Sequence, residues 1–263
     1  MQKQDFSKEL RVLSVGNSFS VDTMTHLADV ARSAGVERVR LGNLFVGGCS
    51  IARHYAHATQ DAAVYKYYTN DGAGWESAPD VSIRTAVESE AWDWISIQHG
   101  TSDGSRYTLA ESYADLPALV CYLKELAPQA RIAFNMTWVW ESNSGHHEMV
   151  AYGGDRATFY RNLTALTQEV VLPTPGIDLV SPTGTAAENL RAATETVLTR
   201  DRFHLSYGLG RYVAALTFFA ALTGMDAKSV SWMPEGVSPT DGALARAAAA
   251  AAVRQPFAVT DLK

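Results

Sequence analysis

One α/β domain built on a mostly parallel sheet, with helices covering both faces, is the fold class this sequence predicts. Three observations carry that reading. Short apolar runs alternate with helix-periodic segments, no repeat or low-complexity linker interrupts the alternation, and 263 residues at 47% hydrophobic content suffice for one sizeable core. Five strands are expected, and right-handed crossovers between parallel neighbours place helices on either side. The result is a three-layer α/β/α sandwich spanning 1–263 as a single domain.

Residues 11–15 form an apolar run closed by Gly16, and after Asp22 the positions Met24, Leu27, Ala28, Val30 and Ala31 recur at helical spacing until Gly35. A second strand is expected over 39–46, and the Gly47-Gly48 break precedes a helix over 51–68. Residues 92–98 read as a third strand, 116–126 as a helix with Pro117 in its first turn, and 131–138 as a fourth strand. A helix near 156–171 leads to a fifth strand at 177–180. Helices at 185–198 and 206–222 flank the polar stretch 199–205, and an alanine-rich helix near 242–253 ends the series. Ligands of such sheets bind at the carboxyl ends of the strands. The turns at 16–20, 47–50, 98–104, 137–147 and 181–185 are therefore expected along one edge.

A net charge of −6 without any basic run argues against a nucleic-acid partner, whose phosphates need clustered cations. A neutral or sugar-like substrate fits better. Cys49 and Cys121 stand far apart, forming neither a disulfide framework nor a metal-ligand spacing. Residues 1–10 are polar and lack the apolar centre of a secretory signal, and the apolar stretches 214–222 and 247–253 are too short to span a bilayer. A cytoplasmic protein without a membrane partner is expected from the chain as it stands, or a periplasmic or secreted one if a leader has been removed.

Ser18, in Gly16-Asn17-Ser18-Phe19-Ser20, falls between the first strand and a helix, where helix-terminal N–H groups favour the negative charge of acyl transfer. A serine there also serves as a helix cap. As a nucleophile it needs a general base, and a base works better when a carboxylate fixes its tautomer. Asp201-Arg202-Phe203-His204 offers both partners on a loop before a late helix, although Asp201 in a surface turn could equally be a cap.

The nucleophile stretch, the glycines after strand two and the late Asp-x-x-His resemble the SGNH (GDSL-like) hydrolase superfamily. Further stretches, Gly47-Gly48-Cys49-Ser50, Trp92-Asp93-Trp94-Ile95-Ser96, Pro182-Thr183-Gly184-Thr185 and Gly210-Arg211-Tyr212, are similar to a bacterial branch of SGNH-like domains, over about 11–224. The resemblance implies a flavodoxin-like sheet, Ser18 as nucleophile, His204 as general base and then acid, and Asp201 orienting that histidine. It also implies an oxyanion hole from the N–H groups of Ser18 and of Gly48, or Gly47 in another register. SGNH enzymes add an asparagine after strand three, whereas this chain reads Gln98-His99-Gly100-Thr101-Ser102-Asp103. Gln98 is the expected substitute donor, with a bond to a neighbouring loop as its alternative role.

Gly100-Thr101-Ser102-Asp103-Gly104 matches a nucleophile elbow, which makes Ser102 the rival nucleophile, with Asp178 and His204 downstream. Asp103-Gly104-Ser105 extends the turn where an elbow needs a helix, and few strands precede it. His146-His147-Glu148 and the pair His54 and His57 lack a third ligand at metal-binding spacing, and Gly208-Leu209-Gly210 follows no strand, so no metal or cofactor is expected. Trp138 and Trp140 straddle the end of strand four, and one of them is expected to line the cleft and stack on a sugar ring. The resulting expectation is a carboxylic-ester hydrolase acting through an acyl-enzyme on Ser18, on an O-acetylated carbohydrate or other small ester. A non-catalytic carbohydrate-binding module on the same fold, and a flavodoxin-like binder whose 16–20 turn cradles a phosphate, are the alternatives from other classes.

Overall fold

Strand β1 (Glu9–Gly16) lies at the centre of the sheet and is buried along nearly its whole length, as a strand covered on both faces must be. The computed structural model describes residues 5–100, 104 and 106–262. Parallel to β1 run β2 (Arg38–Phe45) on one side and β5 (Trp94–Ile97) on the other. β6 (Arg131–Asn135) and β7 (Ile177–Ser181) continue the parallel series. β3 (Tyr65–Asn70) and β4 (Glu76–Val81) extend the opposite edge antiparallel, giving seven strands in the order β4-β3-β2-β1-β5-β6-β7.

The five expected strands are thus the parallel part of a seven-stranded sheet. The helix expected over 51–68 stops early, since α3 (Ile51–Thr59) is followed by Asp61 in the left-handed region at φ 46°. Beyond it, Tyr65-Lys66-Tyr67 alternates with the period of a strand, and β3 buries Tyr65 while Lys66 faces out. β4 is exposed almost throughout and carries Pro79, both features of an edge strand.

On one side of the sheet α1 (Ser18–Met24), α2 (Leu27–Ser33), α8 (Thr183–Ala193), α9 (Leu209–Thr223) and α10 (Pro239–Arg254) form one connected group, with α9 at its centre. α3, α4 (Ile83–Glu88) and α5 (Leu116–Leu126) pack together as a second group. α6 (His147–Ala151) and α7 (Arg156–Leu166) complete the helices, the latter running into a π-turn at Thr167–Val171. The layers are those of an α/β/α sandwich. The single helical pattern expected after Asp22 is two helices, broken at Thr25 and His26. No helix among the described residues is long and apolar enough to cross a membrane.

Because β1, β2, β5, β6 and β7 are parallel, the segments after Gly16, Phe45, Ile97, Asn135 and Ser181 emerge at one edge. This is where the polar side chains converge.

Candidate active site

Asn17 organises the turn after β1. It is extended, caps α1, and its Oδ1 accepts from the Phe19 N–H at 3.0 Å. Capping therefore falls to Asn17, and Ser18 is the first helical residue, with its hydroxyl free for another partner. Gly16 has no room for a side chain, because a Cβ there would overlap Ser20. The Asn17 amide donates to the carbonyls of Cys49 and His99, each at 3.2 Å, and so joins the loops after β1, β2 and β5. Gly100 completes this close approach, since a Cβ there would overlap the Cys49 carbonyl oxygen and the Asn17 amide.

The segment between α8 and α9 brings in Asp201 and His204. A bridge between Thr199 and Leu205 closes it, and the Arg200 N–H donates to the His204 carbonyl at 3.0 Å. Arg202 sits at φ 77°, a left-handed conformation that reverses the chain within four residues. Asp201 thereby folds back on His204: Oδ1 accepts from the N–H groups of Phe203 (3.3 Å) and His204 (2.7 Å), and Oδ2 lies 2.6 Å from Nδ1 of the ring. The other ring nitrogen, Nε2, lies 2.8 Å from Ser18 Oγ. An ionised Asp201 only accepts, so Nδ1 carries the ring proton and Nε2 accepts from the serine hydroxyl. Burial pulls the Asp201 carboxyl upward, but the His204 ring and the two N–H groups outweigh it and hold its pKa below the ordinary 3.8.

These groups border a cleft of about 400 Å³ whose walls include Phe19, Gly47, Gly48, Gly100, His146 and Phe203. Gly48, at φ 59°, lines the same cleft as Ser18. His146 accepts from the Glu148 N–H at 3.4 Å through Nδ1. Burial, with His147 and His204 nearby, pushes its pKa down to about 4, so it is neutral at ordinary pH.

Two sequence expectations need correction. Gln98 is buried and its amide donates to Asn17 Oδ1 at 2.8 Å, so it braces the loop junction instead of facing the cleft. Trp138 and Trp140 are both fully buried. β6 ends at Asn135, and the chain beyond it turns inward, where the Trp138 indole donates to the Phe203 carbonyl at 2.6 Å and Trp140 packs on Tyr107 and Phe159. Phe203 and His146 take the wall positions that the indoles were expected to fill. Ser102, the rival nucleophile, lies outside the described residues. His54 and His57 both turn Nδ1 toward the Tyr65 hydroxyl, at 2.7 and 3.2 Å.

A family model described as a domain of unknown function, DUF4886, matches residues 11–252. The chain belongs to the DUF4886 family. A solved DUF4886 family protein from Bacteroides uniformis is 30% identical, and the match covers 97% of this chain and 98% of that one with a TM-score of 0.91. A structure from Parabacteroides merdae assigned as a GDSL-like lipase is 15% identical, covering 84% of this chain and all of that one, with a TM-score of 0.50. The DUF4886 sandwich therefore shares its fold with that GDSL-like structure. A comparison with curated proteins finds no match. Sequence reasoning gave no role to Asn17, inside the nucleophile stretch, or to Phe203, inside the Asp-x-x-His segment, and weighed His146 only as a metal ligand.

Proposed function

We propose that this DUF4886 protein is a serine esterase that releases short acyl groups, with O-acetyl groups on carbohydrates as its substrates. The observation that carries the reading is the unbroken chain of contacts from Asp201 through His204 to Ser18 at the wall of an open cleft. Ser18 Oγ attacks the ester carbonyl carbon while its proton passes to His204 Nε2, and the N–H groups of Ser18 and Gly48 hold the carbonyl oxygen as it becomes an oxyanion. Collapse breaks the bond to the alcohol oxygen, which leaves with the proton from His204. Water, deprotonated by the same ring, then releases the acid from the acyl-enzyme. Asp201 keeps the proton of Nδ1 in place throughout. A cleft of about 400 Å³ between Phe19 and Phe203 suits an acetyl group with part of a sugar ring better than a long acyl chain.

Purified protein is expected to release acetate from p-nitrophenyl acetate and from an acetylated xylo-oligosaccharide, with turnover falling as the acyl chain lengthens, and to be labelled by a fluorophosphonate. Inertness in all three assays would refute the reading.

Two histidines border the cleft, and His146 is not expected to govern activity near neutrality. His146 takes up a proton only near pH 4, so the acid limb of kcat/KM above pH 5 should fall with a slope of one, reflecting a single group. A slope of two in that range would mean that His146 titrates there as well.

A further inference from the structure

Asp22 lies on α1 four residues after Ser18, one turn further along the same face, and is fully buried. Its carboxylate accepts from the Leu205 N–H at 2.9 Å, from Arg200 Nη1 at 3.0 and 3.1 Å, and from Arg211 Nε at 2.8 Å. Leu205 directly follows the proposed base. Arg200 belongs to the same loop, where its N–H holds the His204 carbonyl and its guanidinium also reaches the Leu205 carbonyl. Arg211 comes from α9, and the Tyr207 ring covers both guanidinium groups, at 4.9 and 4.7 Å.

We propose that Asp22 is the positioning residue that sets the distance between Ser18 and His204, by tying the nucleophile's helix to the base's loop through the Leu205 N–H and the Arg200–Arg211 pair. The physical reason lies in what a buried ion cluster can and cannot do. Removing three charged groups from water is costly, and well-packed apolar side chains of similar volume would serve stability as well or better. What an apolar cluster lacks is direction. Hydrogen bonds of fixed length to a carboxylate place the loop to within fractions of an ångström, and a misplacement of 1 Å between reacting groups costs about 10²-fold in rate. From Ser18 to His204 the path runs through one turn of helix, one carboxylate and one peptide group, all with defined geometry. Arg200 and Arg211 neutralise the carboxylate so that it can be buried at this junction, and α9 anchors it to the core.

This inference rests on the esterase reading of the Ser18 site, and the test separates the two. Asp22→Asn keeps an oxygen for the Leu205 N–H and loses the charge that draws in both guanidinium groups, whereas Asp22→Ala loses every bond. Each is compared with the wild type for kcat and KM on p-nitrophenyl acetate, for the rate of fluorophosphonate labelling, and for the fraction folded at the assay temperature. The expected result is a kcat lower by about 10-fold to 10²-fold in Asp22→Asn and by about 10²-fold or more in Asp22→Ala. KM should stay within about twofold, and labelling should slow in step with kcat. A purely structural role predicts full kcat per folded molecule, and that outcome overturns the proposal. If Asp22→Ala fails to fold, Asp22→Asn and Arg200→Lys decide the matter. A wild type that neither turns over nor labels defeats the esterase reading instead. In that event the His204 Nδ1 proton resonance, which needs no turnover, still judges the positioning role: broadening in Asp22→Asn supports it and an unchanged signal overturns it.

Discussion

Ser18→Ala is expected to lower kcat for acetyl-ester hydrolysis by roughly 10⁵-fold to 10⁶-fold, the scale seen when the nucleophile of a serine hydrolase triad is removed. The loss should come without unfolding. Ser18 is not the cap of α1, because Asn17 accepts from the Phe19 N–H and would go on doing so in the variant. Alanine is also a good residue for a helical position. What disappears is one bond, from Oγ to His204 Nε2, at the wall of a cleft that water can enter, so the ring is not left with a buried unsatisfied nitrogen. A stability change within about 0.5 kcal/mol follows, as for substitutions outside the core. Melting temperature and activity measured on the same sample check both halves. A variant that keeps measurable turnover and remains labelled by a fluorophosphonate would transfer the chemistry to another nucleophile, with Ser102 the first to test.

The contrast between what could and could not be read from the sequence follows the range of the interactions involved. Asp201 and His204 are three residues apart, and the glycine-bounded turn after β1 is likewise local, so their geometry is encoded within a few residues. The parallel strands announced themselves because a strand buried on both faces is a continuous apolar run. β3 and β4 escaped notice because an edge hairpin is mostly polar, and Tyr65 to Tyr68 can complete a helical pattern as easily as begin a strand. Gln98 is the more instructive failure. An amide at a strand end can face a cleft or a neighbouring loop, and the choice is decided by Asn17, 81 positions away, whose Oδ1 lies within its reach. The same holds for Trp138 and Trp140. Residue type makes them candidates for a sugar-stacking wall, but the end of β6 at Asn135 turns them toward Tyr107, Phe159 and the Phe203 carbonyl. Asp22 shows the limit most clearly, because its three donors arrive from residues 178 to 189 positions later.

Asp201→Asn is expected to cost about 10⁴-fold in kcat at neutral pH, more than the loss of a partly exposed surface carboxylate would suggest. The reason lies in how both carboxylate oxygens are used. Oδ1 accepts from the N–H groups of Phe203 and His204, which offer only donors, while Oδ2 faces Nδ1 of the ring. An asparagine has one oxygen, and keeping it on the two backbone donors turns its NH₂ toward Nδ1. The ring must then accept at Nδ1 and carry its proton on Nε2, where it can no longer take the proton of Ser18. The opposite rotamer would restore the tautomer but would set the NH₂ against two N–H donors, which neither leaves the loop in place nor satisfies its amides. Asp201 also contributes a little to stability, since a carboxyl whose pKa is lowered on folding stabilises the native state above its unfolded pKa and loses that contribution as the pH falls through the lowered value. A small drop in melting temperature at neutral pH, narrowing below pH 4, should therefore accompany the large loss of activity. The decisive comparison is Asp201→Ala, which removes the anchor without imposing the wrong tautomer. If the mechanism works through the tautomer, the alanine variant should retain more activity than the asparagine variant, although it keeps fewer of the loop's hydrogen bonds. If the asparagine variant is the more active of the two, Asp201 acts by holding the loop rather than by directing the ring proton.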